Sequence, residues 1–155
     1  MYLQLPKLDV CGPDTDRWDY PRVSTKLNAE QQAGSTFVLP LATIIETGNH
    51  ITQIKGRSPL PFAQAFADII RACCDDEIPW TAFSVQSELW TDDFLRTLAN
   101  DWPLQADRRL SLGDATIGAV DNYYNELNRS VEILTGDGGL KALQPLPNPK
   151  PRRRR

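Results

Sequence analysis

Three carboxylates stand out among the residues of this sequence that could support chemistry. Glu46, Asp114 and Asp137 lie in the segments IIETG, LSLGDATIG and LTGDGG, beside small or apolar neighbours rather than within runs of charge. If these segments converge, the carboxylate oxygens form the kind of ligand set that Mg²⁺ or Mn²⁺ prefers. A metal ion held there would activate a water for attack on a phosphodiester. The sequence therefore offers a candidate hydrolytic metal site.

Each of these acids also has a purely structural explanation. Ser111 and Asp114 have the S-x-x-D spacing of a helix capping box, and Thr43 and Glu46 have the same spacing. Asp137 lies between glycines, where aspartate is common in turns. The residues alone leave both interpretations open.

Other kinds of catalytic site are limited by composition. The chain has one histidine, His50, and three cysteines, Cys11, Cys73 and Cys74. Zinc sites usually need several Cys or His ligands, and adjacent cysteines project about 100° apart on a helix. Serine or cysteine catalysis would have to be built on His50. An odd, sparse set of cysteines also disfavours a disulfide scaffold.

Charge is unevenly distributed along the 155 residues, which carry a net charge of −3. Five positive charges fall in the last six residues, so residues 1–149 hold 12 Lys+Arg against 20 Asp+Glu. Residues 1–149 are therefore net acidic, whereas proteins that bind nucleic acid commonly have a broad basic surface. The Pro- and Arg-rich residues 144–155 are predicted to be a disordered tail. Residues 1–143 are predicted to form one domain.

A membrane location is not expected from the sequence. No apolar run approaches the ~18–20 residues of a membrane span. The amino-terminal segment also lacks a basic stretch followed by an apolar one. We expect a soluble, cytoplasmic protein without membrane contact.

The hydrophobic pattern predicts helices that alternate with short strands. Strands are predicted at Thr36–Pro40, Ile78–Val85 and Val131–Thr135, and helices over 18–33, 41–53 and 61–74, after Thr91, from Ser111 and near Leu140. Such alternation favours a parallel sheet covered by helices on both faces. Ligands gather at the carboxyl ends of parallel strands, which is where Glu46 and Asp137 follow their strands.

Three segments resemble successive signature segments of PIN domains, the metal-dependent ribonuclease domains common among bacterial toxin–antitoxin toxins. They are LPLATIIETGNHI (39–51), LSLGDATIGAVDNYY (110–124) and VEILTGDGGLKAL (131–143), within a motif-bearing part at residues 36–143. The resemblance implies an α/β fold of Rossmann-like, three-layer type with a central parallel sheet. It also implies RNA as substrate and Mg²⁺ or Mn²⁺ as cofactor.

Residue roles follow from the same resemblance. Glu46, Asp114 and Asp137 match the acidic metal ligands of the family, with Thr135 as a supporting hydroxyl. Asn49, which lies one turn after Glu46, is a second supporting residue, although a polar helix surface is the alternative explanation.

Two arginines are the cations best placed to guide a phosphate backbone. Arg108 and Arg109 come immediately before the segment that carries Asp114. Solvated surface arginines are the alternative interpretation.

The start of the chain departs from the PIN pattern. PIN domains begin with an apolar strand that ends in a metal-binding aspartate. Asp9 is the nearest candidate here, but Pro6 interrupts its strand and Cys11-Gly12-Pro13 follows where a helix should begin. The first strand is therefore expected to be missing or altered, either because the chain starts beyond it or because this is an inactive relative.

Two functions remain open from the sequence. The first is a Mg²⁺- or Mn²⁺-dependent endoribonuclease, impaired by the missing first aspartate. The second is a non-catalytic PIN-like module that binds a protein or nucleic acid. The expected partners are RNA, an antitoxin protein and, where sheet edges are exposed, a second copy of the chain.

Overall fold

Helices form the regular secondary structure of the chain. The computed structural model describes residues 14–135 and 138–143, so Asp137, the amino-terminal segment with Asp9 and the predicted tail at 144–155 lie outside it. In the described ranges the α-helices are α1 (Tyr20–Gln32), α2 (Leu41–Thr52), α3 (Leu60–Cys74), α4 (Asp92–Asp107), α5 (Leu112–Glu126) and α6 (Gly138–Leu143). Short 3₁₀ segments span Asp14–Asp16 and Phe83–Trp90.

The predicted α/β fold, a three-layer Rossmann-like domain with a central parallel sheet, is wrong. No residue in the described ranges lies in an extended strand. An isolated parallel bridge joins Phe37 to Trp80, where the Phe37 amide donates to the Pro79 carbonyl at 2.7 Å and the Thr81 amide to the Phe37 carbonyl at 3.1 Å. Two of the predicted strands are therefore neighbours, but they pair at a single position.

Each predicted strand fails for a local reason. Pro40 ends the first apolar run and is the N-cap residue from which α2 begins. Pro79 has no amide hydrogen to donate, and the second run coils into the 3₁₀ segment at Phe83. Residues 131–135 have neither helical nor strand structure. Short apolar runs do not by themselves distinguish a strand from other buried backbone.

The helix predictions are confirmed more closely, because their signals are local. The predicted helix at 61–74 is observed at Leu60–Cys74, and the one at 41–53 at Leu41–Thr52. Thr91 is the predicted N-cap of α4, and its hydroxyl accepts a hydrogen bond from the Phe94 amide at 3.3 Å. A side-chain oxygen that satisfies a free amide of the first turn is the reason these residue types begin helices.

Helix α5 lies at the centre of the packing. It contacts α2, α4, α6 and the 3₁₀ segment Phe83–Trp90, while α2 also packs on α3. Its buried apolar residues are Ala115 and Val120, and Phe62 and Cys73 are buried in α3. This packing brings the middle of α2, with Glu46, against the first turn of α5, with Asp114. None of the helices in the described part of the chain is long and apolar enough to cross a membrane.

Candidate functional site

The first turn of α5 is held by a complete capping box. The Ser111 hydroxyl accepts a hydrogen bond from the Asp114 amide at 3.0 Å. Asp114 Oδ2 in turn accepts hydrogen bonds from the Ser111 amide at 3.1 Å and from its hydroxyl at 2.7 Å. The predicted structural role of this pair is therefore confirmed. Both bonds to the Asp114 carboxylate use Oδ2, so Oδ1 of Asp114 takes no part in the cap.

Glu46 reaches the same helix terminus from α2. A Cβ atom placed on Gly113 would overlap with Glu46 Oε1 and would lie 3.1 Å from its Cδ and 3.5 Å from the Ser111 hydroxyl oxygen. The Glu46 carboxylate thus lies against the backbone of the residue that precedes Asp114. Two of the three predicted carboxylates come to one helix end.

The electrostatics of this end suit negative charge. The amides of the first helical turn carry the positive end of the helix dipole, which stabilises a nearby carboxylate by about 0.3–1 kcal/mol. Glu46 is exposed and Asp114 is partly buried, so both retain access to water. Two carboxylates at one helix end can hold a hard divalent cation, with water completing its shell.

Asn49 and His50 lie on the same side of α2 as Glu46. They follow it by three and four residues, the spacing that places side chains on one helix face. Both side chains are exposed, and the Asn49 carbonyl accepts a hydrogen bond from the Thr52 hydroxyl at 2.8 Å. The Asn49 side chain is therefore exposed on the face of α2 that carries Glu46.

Arg108 and Arg109 form the turn between α4 and α5. Arg108 is the C-cap of α4, and Arg109 has left-handed backbone with φ of 66°. The Trp102 indole closes this turn by donating to the Leu110 carbonyl at 3.2 Å. Both arginines are exposed and make no ion pair with another residue of the described ranges. Their assignment to a phosphate backbone stays a prediction.

The third predicted carboxylate, Asp137, lies outside the described residues. Thr135 is half-buried in the non-helical segment 131–135. A salt bridge of 2.8 Å between Lys26 and Glu132 ties this segment to α1. Within the part of the chain that the structure describes, no group of three His, Cys, Asp or Glu side chains could hold a metal ion. The described site is a pair of carboxylates.

Two polar side chains are buried that were not predicted to be buried from the sequence. Gln86 is 1% exposed and Asp121 is 3% exposed, and within the described residues neither Gln86 Oε1 nor Asp121 Oδ1 has a hydrogen-bond partner. Burial raises the pKa of Asp121, and the amide of Asn125 offsets this only in part. The sequence did contain a signal that Asp121 is buried, because it lies between Ile117 and Tyr124 on the apolar stripe of α5.

Comparisons of this chain with family models, with curated proteins and with solved structures return no match. The resemblance to PIN domains stays a prediction that depends on the three sequence segments.

Proposed function

We propose that the chain is a Mg²⁺- or Mn²⁺-dependent ribonuclease in which Glu46 and Asp114 hold the metal ion. The observation that carries this proposal is the contact of the Glu46 carboxylate with Gly113, beside Asp114. The choice of RNA as substrate rests on the three segments that resemble PIN domains. Asp137 is proposed as a third ligand on the same ground.

The chemistry of the donor set fits such an ion. Mg²⁺ in proteins is commonly held by one or two carboxylates, with waters and substrate phosphates as its remaining ligands. When bound, a divalent cation activates a water and stabilises the negative charge that develops on the phosphate. Oδ1 of Asp114, outside the cap, and the carboxylate of Glu46 are the oxygens that we propose as ligands.

The surrounding side chains have roles in binding the substrate. Arg108 and Arg109 are exposed guanidinium groups near the first turn of α5, and a guanidinium pairs with phosphate oxygens through two parallel hydrogen bonds. We assign them to the phosphate groups of the RNA backbone. Asn49 is assigned to orient the attacking water, because its amide can both donate and accept.

The test is cleavage of a mixed-sequence single-stranded RNA in Mn²⁺, with an EDTA control. Glu46→Gln keeps the size of the side chain and removes its charge, so we expect near-complete loss of cleavage. Glu126→Gln is the matched control, because it makes the same change at an exposed residue at the other end of α5. Full Mn²⁺-dependent cleavage by Glu46→Gln would contradict the proposal.

A second pair of variants separates the metal site from the cap. Ser111→Ala removes the N-cap hydroxyl, which should cost about 1 kcal/mol of unfolding free energy while both carboxylates remain. Asp114→Asn should abolish cleavage and cost less stability, because an amide oxygen can still accept from Ser111. Equal loss of cleavage in the two variants would mean that Asp114 acts only through the helix cap.

The alternative function is a non-catalytic module for a protein partner, such as an antitoxin. The observation in its favour is the exposure of large apolar side chains, with Ile78 at 93% and Leu104 at 75%. Indifference of the melting temperature to Mn²⁺ would favour this function, because a ligand that binds only the native state must stabilise it.

A further inference from the structure

Helix α1 is attached to the rest of the protein differently from the other helices. In the described ranges, α2 to α6 each pack against another helix, whereas α1 packs against none of them. Every residue of α1 is at least partly exposed. An isolated helix of 13 residues is marginal in water, because most helical stability in proteins comes from packing of an apolar face. The stability of α1 therefore depends on what its least exposed face contacts.

The least exposed face of α1 is only partly apolar. Four of its partly buried residues follow the spacing of one helix face, namely Val23, Lys26, Leu27 and Glu30. Lys26 lies in the middle of this stripe, and its Nζ donates hydrogen bonds of 2.8 Å to both Glu30 Oε1 and Glu132 Oε2. An ammonium group therefore interrupts the apolar stripe, and an ion pair forms there.

The ion pair between Lys26 and Glu132 joins residues that are 106 positions apart in the sequence. It ties α1 to the segment 131–135, which has neither helical nor strand structure. Both side chains keep access to water, with exposed fractions of 30% and 58%. Exposed ion pairs contribute little to stability, because water and dissolved salt screen them. This connection is therefore weak, and salt weakens it further.

We propose that α1 is a salt-sensitive strap that separates from residues 131–135 as a unit, with the ion pair between Lys26 and Glu132 keeping it closed. Elements with few buried apolar contacts open at a lower free energy than the core does. Helix α5 is the contrast, because it lies at the centre of the packing and its Val120 is 5% exposed. The strap opens while α2 to α6 stay packed, and its opening does not depend on the proposed ribonuclease activity.

Native-state hydrogen exchange of the full chain tests whether α1 opens alone. Exchange of the hydrogen-bonded amides is followed at rising urea concentrations below the unfolding transition. We expect the amides of α1 to be at least about a hundredfold less protected than those of α5, and their exchange to depend little on urea, because a local opening exposes little surface. Equal protection and equal urea dependence of the two helices would overturn the proposal.

A variant tests the ion pair that keeps the strap closed. Glu132→Gln removes the charge, keeps the length of the side chain and leaves the pair between Lys26 and Glu30. At low salt it should speed exchange of the α1 amides by about twofold to fivefold, the range expected for an exposed ion pair. About 1 M NaCl should speed exchange in the wild type and have less effect in the variant, because the Debye length falls to about 3 Å.

Asp68→Asn is the matched control for this variant. It removes an exposed ion pair with Arg71 that lies entirely within α3, so it makes the same change in net charge without touching α1. Exchange of the α1 amides should stay at the wild-type rate. The proposal is overturned if Glu132→Gln leaves that rate unchanged, or if Asp68→Asn raises it as much as Glu132→Gln does.

Discussion

Asp121 is the residue whose burial has the clearest consequence for stability. The residue is 3% exposed, and Oδ1 has no hydrogen-bond partner in the part of the chain that the structure describes. Because burial disfavours the charged form, the pKa of Asp121 is raised from its usual 3.8. The folded state therefore binds a proton more tightly than the unfolded state does. This carboxylate destabilises the fold increasingly as the pH rises above 3.8, the cost is complete once the pH exceeds the folded pKa, and it disappears as the pH falls below 3.8.

We expect Asp121→Asn to be more stable than the wild type at pH 7, because the amide removes the buried charge and keeps the shape of the side chain. The gain should shrink as the pH falls through the raised pKa towards 3.8, where the wild-type carboxyl is also neutral. Urea midpoints of both proteins at pH 7 and at pH 4 measure this. A gain that is the same at both pH values would contradict the assignment.

At the scale of the elements, α3 shows how a helix is held mainly by one face. Phe62 is 8% exposed and Cys73 is 2% exposed, while Leu60 in the first turn is 59% exposed. Prolines Pro59 and Pro61 flank its start, where a missing amide costs nothing. The apolar face that packs on α2 and on the 3₁₀ segment supplies most of its stability, since isolated helices of this length are marginal in water.

We therefore expect Phe62→Ala and Leu60→Ala to differ strongly. Phe62→Ala should cost about 3–5 kcal/mol of unfolding free energy, because it leaves a cavity in a small core. Leu60→Ala, in the same helix but mostly exposed, should cost only about 0.5 kcal/mol or less. Thermal or urea unfolding followed by circular dichroism measures both. Similar costs would mean that the buried face of α3 has been misassigned.

At the scale of the whole molecule, large apolar side chains are exposed on several elements. Large hydrophobic residues that are at least 40% exposed occur on every helix from α1 to α5 in the described ranges. Contiguous exposed apolar surface commonly marks an interaction site, whereas scattered single residues do not. Leu104 on α4 and Ile78 before the 3₁₀ segment are the most exposed, at 75% and 93%.

We expect the exposed apolar side chains to make the chain self-associate as its concentration rises; the sheet edges from which a homodimer was predicted do not occur in the described ranges. Size-exclusion chromatography with light scattering should then give a molar mass above that of one chain. Leu104→Asp should lower the mass if α4 lies in the interface, and Ile78→Asp is the comparison at a second exposed site. Neither should change the unfolding free energy of the monomer by more than about 0.5 kcal/mol. A single-chain mass at all concentrations would contradict the expectation.

The sequence by itself determined the features that depend on neighbours within one helical turn. The S-x-x-D spacing at Ser111 predicted the capping box, Thr91 predicted the start of α4, and the spacing from Phe62 to Cys73 predicted α3. These succeeded because a cap or an amphipathic face is complete within its own segment. The position of Arg108 and Arg109 just before α5 follows from the same local order.

The tertiary structure alone decided whether the apolar runs became strands and which side chains meet. A strand needs a partner backbone from elsewhere in the chain, and in the described ranges the run at Phe37 pairs at the single residue Trp80. Glu46 and Gly113 are distant in sequence, and only the packing of α2 on α5 brings the carboxylate to the glycine. Burial of Asp121 likewise results from packing, since the same acid on the opposite face of α5 would be solvated.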